Sequence, residues 1–318
     1  MRSKPSESGS RPESQFCARA NASNSMWSPP PGIEYARTVQ SEISDRFRAL
    51  AALPESQLGL AEGALVLASE VRPEVDIASG LETLADLAER AQPLVDSAAT
   101  PSAAIAALNH SLFELEQFRG NHERYDDPRN SFLDEVLTRR RGLPITLSVL
   151  YVEVARLLGY EAYGISFPGH FLSKVVGVTD VPEYEIIVDP FFGRTLSLDE
   201  CAERIRAAAG DDVDLDSRWL RPATANEIYV RMLNNLKLHY LRQGDGLGAL
   251  GSFDRIVVLA PESAHEYRDR GMLLERMDCI HAAIEDYSRF LELAPRDESA
   301  RPIRLRRDAL SSQKPALN

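Results

Sequence analysis

Three cysteines serve 318 residues, and Cys17, Cys201 and Cys279 stand in three different regions. That scatter excludes a disulfide framework, and none of the three has the spacing of a metal site; a reducing cytoplasm is the expected setting. Positive charge is also scarce. Against 48 Asp and Glu there are 36 Lys and Arg, a formal net charge of -12, which disfavours general nucleic-acid binding. The basic runs Arg139 to Arg141 and Arg301 to Arg307 read as solvated helix faces, because acids surround them and no aromatic residues interleave. No stretch approaches the eighteen or so apolar residues of a membrane span, so no membrane partner is expected. Residues 1–33, with SKPSESGSRPES and SPPPG, contain no apolar leader core and read as a disordered tail; Met26 offers an alternative translation start.

What is present is helical periodicity. Leu58 to Val71, Ala78 to Ala91 and Ile105 to Phe118 each repeat apolar residues at helical spacing, with Pro54, Pro73, Pro93 and Pro101 as punctuation. Residues 34–120 are therefore expected to form a helical subdomain. Near the other end, the tripeptide LAP at Leu259 to Pro261 returns at Leu293 to Pro295, 34 residues on, which is the tetratricopeptide period. Leu233, Leu236, Tyr240, Ala249, Phe253 and Pro261 are matched to Tyr267, Gly271, Leu274, Ala283, Tyr287 and Pro295. Ala249 and Ala283 fall where only a small side chain lets paired helices approach. Two units are fewer than an independent array needs, so residues 223–318 should lean on the preceding domain and end in an arginine-rich capping helix over 298–311.

Between these regions the pattern changes to helix, strand, turn, strand. Pro144 suits the first position of a helix, Leu147, Leu150, Tyr151, Val154, Leu157 and Leu158 follow at helical spacing, and Gly159 ends it. Tyr163 to Phe167 and Phe171 to Val176 are β-rich runs around a Pro168-Gly169 turn with His170 at its edge. A third strand, Tyr184 to Val188, ends at Asp189-Pro190, and Ser197 caps a short helix over Asp199 to Ala209.

The strings DDPRNSFLDEVLTRRRGLPITLSVLYVEVARLLG, FPGHF and VDPFFG, in that order, resemble the bacterial SirB family, a transglutaminase-like domain followed by tetratricopeptide repeats. The resemblance covers roughly 40 to 295. It implies an α+β fold: a helical N-terminal part, a transglutaminase-like (papain-like) core over 121–222 with an antiparallel sheet, and all-α repeats. Transglutaminase-like thiol enzymes open a helix with Gly-x-Cys, end it with Arg-x-x-Gly, and carry His and then Asp on the strands that follow. Gly142, Arg156, Gly159, His170 and Asp189 match that pattern, and counting places Pro144 at the cysteine position. In the family resembled, a proline here is ordinary.

A thiol mechanism needs a thiolate beside an oriented imidazole. Substitute nucleophiles would be Thr146, Ser148 or Cys201. Hydroxyls in a first helical turn normally satisfy backbone groups, and a turn of about 100° per residue points Thr146 away from the direction of residue 144. Cys201 shares an apolar face with Leu198 and Ile205 and reads as a buried thiol. A metal site from His110, His122, His170 and Asp189 has only residue type in its favour, and no cofactor is implied. Asp126, Asp127, Arg129 and Asn130 either line a cleft or cap helices, with Asn130 or Ser131 the expected cap before FLDEVL. The reading is a non-catalytic protein that binds a protein or peptide through its repeats, oligomeric state open. The alternative is a hydrolase or amide-processing enzyme in which His170 and Asp189 activate water or Thr146.

Overall fold

Ser44, Asp76 and Thr100 each accept a bond from a backbone N–H two or three residues ahead, which satisfies donors that a first helical turn leaves over. They open α1 (Asp45–Ala51), α3 (Ile77–Asp96) and α4 (Pro101–Asn109), while α2 (Leu60–Val71) is buried along most of its length. The computed structural model describes residues 43–176, 184–210 and 212–312; the tail expected over 1–33 lies outside the described residues. Pro93 does not end its helix as the punctuation suggested. It is exposed inside α3, where the buried stripe of Leu87, Ala91 and Val95 carries the helix past one missing hydrogen bond. The helix expected through to Phe118 also changes form, becoming a π-turn over His110–Leu115. That turn lays Phe113 on the Tyr151 ring, centroids 5.9 Å apart, and against Gly193.

Two residue pairs, β1 (Arg119–Gly120) and β2 (Arg141–Gly142), form a short parallel ladder that no β-rich run announced. Around it stand α5 (Leu133–Arg139) and α6 (Pro144–Leu157). The four-stranded sheet runs in sequence order, β3 (Glu161–Ile165), β4 (Leu172–Val176), β5 (Glu185–Asp189) and β6 (Arg194–Leu196), all antiparallel, with Ser173 opposite both Gly164 and Val188. Strand alternation sends Val175 and Val188 into the core that α6 shares. Leu172, Ile187 and Leu196 go instead to a smaller cluster with Cys201 and Ile205 of α7 (Leu198–Ala209).

Five helices follow: α8 (Ala225–Gln243), α9 (Gly246–Leu259), α10 (Ala264–Arg276), α11 (Ile280–Leu293) and α12 (Ala300–Ser312). Ala249 and Ala283 are both fully buried, as the 34-residue repeat required. One pairing is corrected: 34 residues on from Leu236 is Arg270, so Gly271 corresponds to Lys237. A Cβ at Gly271 would lie 2.8 Å from the Tyr287 ring. In the first unit, the Lys237 stem skirts the equivalent Phe253, its ammonium 4.6 Å from the ring centroid and 2.7 Å from Glu266.

The first unit is not a separate body. Ile228, Tyr229, Met232, Leu233, Ile256 and Leu259 belong to the same apolar core as α2, α3 and α6, whereas α10 to α12 build a core of their own with Ala249 and Phe253. A buried ion pair, Arg255 with Glu70 at 2.8 Å, ties α9 to α2. Removing one partner of such a pair costs about 3–5 kcal/mol. The repeats thus lean on the preceding helices. Among the described residues, no helix is long and apolar enough to cross a membrane.

Candidate functional site

Pro144 stands at the first position of α6, where its missing N–H has no helical partner to lose. Leu143 before it is extended, and Thr146 closes the turn: its hydroxyl accepts from the Leu143 N–H at 3.0 Å and donates to the Asn130 carbonyl at 2.6 Å. Thr146 is completely buried, and among the described residues its hydroxyl bonds the Leu143 N–H and the Asn130 and Leu143 carbonyls rather than His170. Ser148, one turn beyond Pro144, is equally buried and its hydroxyl has no partner among the described residues; Ser173 of β4 is in the same condition.

Asn130 is not the expected helix cap, and neither is Ser131; α5 starts after Phe132 without a side-chain cap. Asn130 has no exposed surface. Its amide donates to the Arg124 and Tyr125 carbonyls at 2.7 and 3.2 Å, and its side-chain oxygen accepts from Asn121 at 2.9 Å. It therefore pins the loop over 121–131 onto the start of α6. Asp127 is the residue that caps, accepting from the Arg129 N–H at the head of a 3-10 turn, and bonds from the Arg129 side chain hold its carboxyl below the usual range. Asp126 reaches across to Arg242 of α8 at 2.9 Å.

The strand side is built differently. His170 follows Gly169, whose φ of +68° suits a residue without a side chain. The imidazole Nε2 lies 3.0 Å from Oδ1 of Asp189, a carboxylate with no exposed surface, while the His170 side chain keeps 16% of its own. Oδ1 also accepts from the Phe191 and Phe192 N–H groups, the turn that an Asp before Pro-Phe-Phe makes for itself, and Oδ2 accepts from Arg204 at 2.6 Å. Burial pushes the Asp189 carboxyl up, but the bonds from His170 and Arg204 more than offset it, and the carboxyl ends below its ordinary value. Phe191 and Phe192 flank the imidazole at 5.9 and 6.0 Å, and His122 packs edge-on to Phe191 at 4.4 Å.

Two residues of the site carried no signal in the chain. Arg204 sits fifteen residues beyond Asp189 on α7, and Arg231 comes from the first repeat helix. Arg231 donates to the His170 carbonyl at 2.7 Å and to the Ser166 hydroxyl at 2.6 Å, with its guanidinium over the Phe171 ring. Cys201 is fully buried, and burial raises its thiol pKa, the opposite of activation. His110 pairs with Glu114 on the helical surface, apart from His170. Among the described residues no three His, Cys, Asp or Glu side chains gather as metal ligands do. Chemically, a histidine fixed through one nitrogen by a carboxylate can exchange a proton or a hydrogen bond through the other.

Residues 78–234 match the model of the transglutaminase-like superfamily, and 236–308 match the tetratricopeptide repeat. A UPF0162 protein of Xylella fastidiosa is 34% identical, over 84% of this chain and 95% of its own length. The chain belongs to the UPF0162 family. Another UPF0162 member, from Vibrio cholerae, is 31% identical over 79% of this chain and 92% of its own, and UPF0162 protein YchA of Escherichia coli K12 is 26% identical over 81% and 94%. No solved structure matches the chain. The UPF0162 chain thus joins a transglutaminase-like part to a helical repeat part, with a small antiparallel sheet in the first.

Proposed function

We propose that this UPF0162 protein is a cytoplasmic binding protein whose transglutaminase-like site has exchanged thiol chemistry for recognition of a protein or peptide. The observation that carries the reading is the start of α6, where Pro144 stands at the position that the pattern of transglutaminase-like thiol enzymes would give to a cysteine and the Thr146 hydroxyl is spent on the Asn130 carbonyl. Tetratricopeptide repeats supply a surface of the kind that takes helices or extended peptides. On α8 that surface includes Leu238 and Leu241, 40% and 41% exposed. Affinity purification of the full chain, compared with the double variant Leu238→Glu, Leu241→Glu, tests this. A partner recovered with the first and lost with the second is expected; identical recoveries would refute a role for this face.

A second reading has one observation in its favour, the His170–Asp189 bond at 3.0 Å. In it, His170 takes a proton from water during hydrolysis of an amide or ester, with Asp189 orienting the ring. Turnover of a peptide or amide substrate that disappears in His170→Ala would establish this reading in place of the first.

A further inference from the structure

Around the His170 turn the charges are almost all matched. Asp126 is bonded to Arg242, Asp127 to Arg129, and Asp189 to Arg204. Arg231 is not matched in this way: among the described residues no carboxylate pairs with it, and its bonds go to the neutral Ser166 hydroxyl and His170 carbonyl. A guanidinium has five N–H donors, so these two bonds leave capacity over. Burial lowers the Arg231 pKa, opposed only by the proximity of Tyr125. In a chain of net charge -12, this partly desolvated cation without an acid is bonded to the backbone of His170, whose imidazole Asp189 holds in place.

The surroundings narrow what would answer that charge. The Tyr125 ring, edge-on to Phe191, is half exposed, and Phe192, tilted against the imidazole, is 54% exposed. Along α8, Leu238 follows Arg231 by seven residues, which places it within about 20° of the same direction and about 10 Å further along the axis. An extended chain spans that distance in about three residues. One surplus positive charge suits a single carboxylate better than a phosphate, because the neighbouring arginines that would help neutralise a second charge are already spent on Asp189 and Asp126.

We propose that Arg231 is an anion-recognising residue of the His170 site, and that its ligand is a carboxylate on a peptide segment that places an apolar side chain about three residues away, on Leu238. This rests on the binding reading above and gives it a ligand chemistry. The first repeat helix then belongs to the site as well as to the repeat surface, and the two parts of the chain recognise one ligand together.

The test uses the full chain and two probes, N-acetyl-Leu-Ser-Ser-Asp-amide and the same peptide with Asn in place of Asp, each also made in reversed order. Binding is read from the Arg231 side-chain Nε–H signal and the α8 amide signals. Saturable binding of an Asp peptide, weakened about tenfold or more by the change to Asn, is expected from loss of a charge-assisted bond. Arg231→Lys should weaken the same peptide several-fold, since a point charge replaces a planar fork, and Leu238→Ser should weaken it less. Equal binding of Asp and Asn peptides, no saturation by either order, or inorganic phosphate binding as tightly as the peptide would each overturn the proposal. So would Arg231→Lys binding as the unaltered chain does. The Asp-to-Asn comparison needs no variant, so a loss of folding in Arg231→Lys leaves it decisive. Failure of these probes while the affinity-purified partner persists would remove the carboxylate site and leave the binding reading standing.

Discussion

The start of α6 and the turn at His170 both lie in the transglutaminase-like part of the chain, and they are built in opposite ways. At the helix start, the Thr146 hydroxyl and the whole Asn130 side chain are fully buried and bonded to protein groups, so nothing of theirs is left for a ligand. At the turn, Asp189 is closed off by four donors while the imidazole it holds keeps some exposed surface. The contrast shows how polar residues that look alike in a chain can be sorted. A buried group with every bond made inside the protein specifies the fold, whereas a group anchored on one side only is held ready for something outside it.

The largest test of this contrast is Asn130→Ala. It leaves the buried Asn121 amide and the part-buried Arg124 and Tyr125 carbonyls without their partner, and should cost about 2–3 kcal/mol of stability, read from the urea midpoint. A change of a few tenths would mean that the loop does not depend on Asn130.

Asp189→Asn should cost less, about 2 kcal/mol at pH 7, because Asn keeps the acceptor but loses the charge that Arg204 and His170 meet. The pH dependence has a definite sign. The folded carboxyl lies below its ordinary value, so its contribution is present in full above the unfolded pKa of about 3.9 and is lost as pH falls through the lower folded value. The stability gap between the unaltered chain and Asp189→Asn should therefore narrow below about pH 4. A gap that stays constant down to pH 2.5 would contradict the assigned network.

Thr146→Val removes the bond to the Leu143 N–H and should cost about 1 kcal/mol, while Thr146→Ser, which can restore the same bonds, should stay within about half of that. Thermal melts of the two variants side by side would show whether the hydroxyl matters as a cap. The smallest effect is expected of Pro144→Ala, about 0.5 kcal/mol, since the proline mainly restricts the unfolded chain.

Much of this was legible because it is local. The helix from Pro144, the strand and turn around His170 and the Asp189-Pro190 strand end all follow from neighbours within a few residues, and the structure places them at α6, β3 to β4 and β5. The doubt about Thr146 as a nucleophile was likewise local, a hydroxyl in a first turn. What could not be read depends on distance in the chain. Asn130 looked like a cap because nothing nearby reveals that its side chain will be buried beneath an exposed loop, and Arg204 and Arg231 reach the site from helices 15 and 61 residues away from the groups they bond. The π-turn and the two-residue ladder of β1 and β2 are too short to leave a periodic trace, and the stripe through Val95 outweighed Pro93 by tertiary burial.

The central claim, that the helix start offers no nucleophile to His170, is tested most directly by labelling the native chain with a fluorophosphonate and with iodoacetamide and mapping adducts by peptide mass spectrometry. The account predicts none at Thr146, Ser148 or Cys201 while the protein is folded. An adduct at any of the three that forms on the native chain and vanishes in His170→Ala would contradict it.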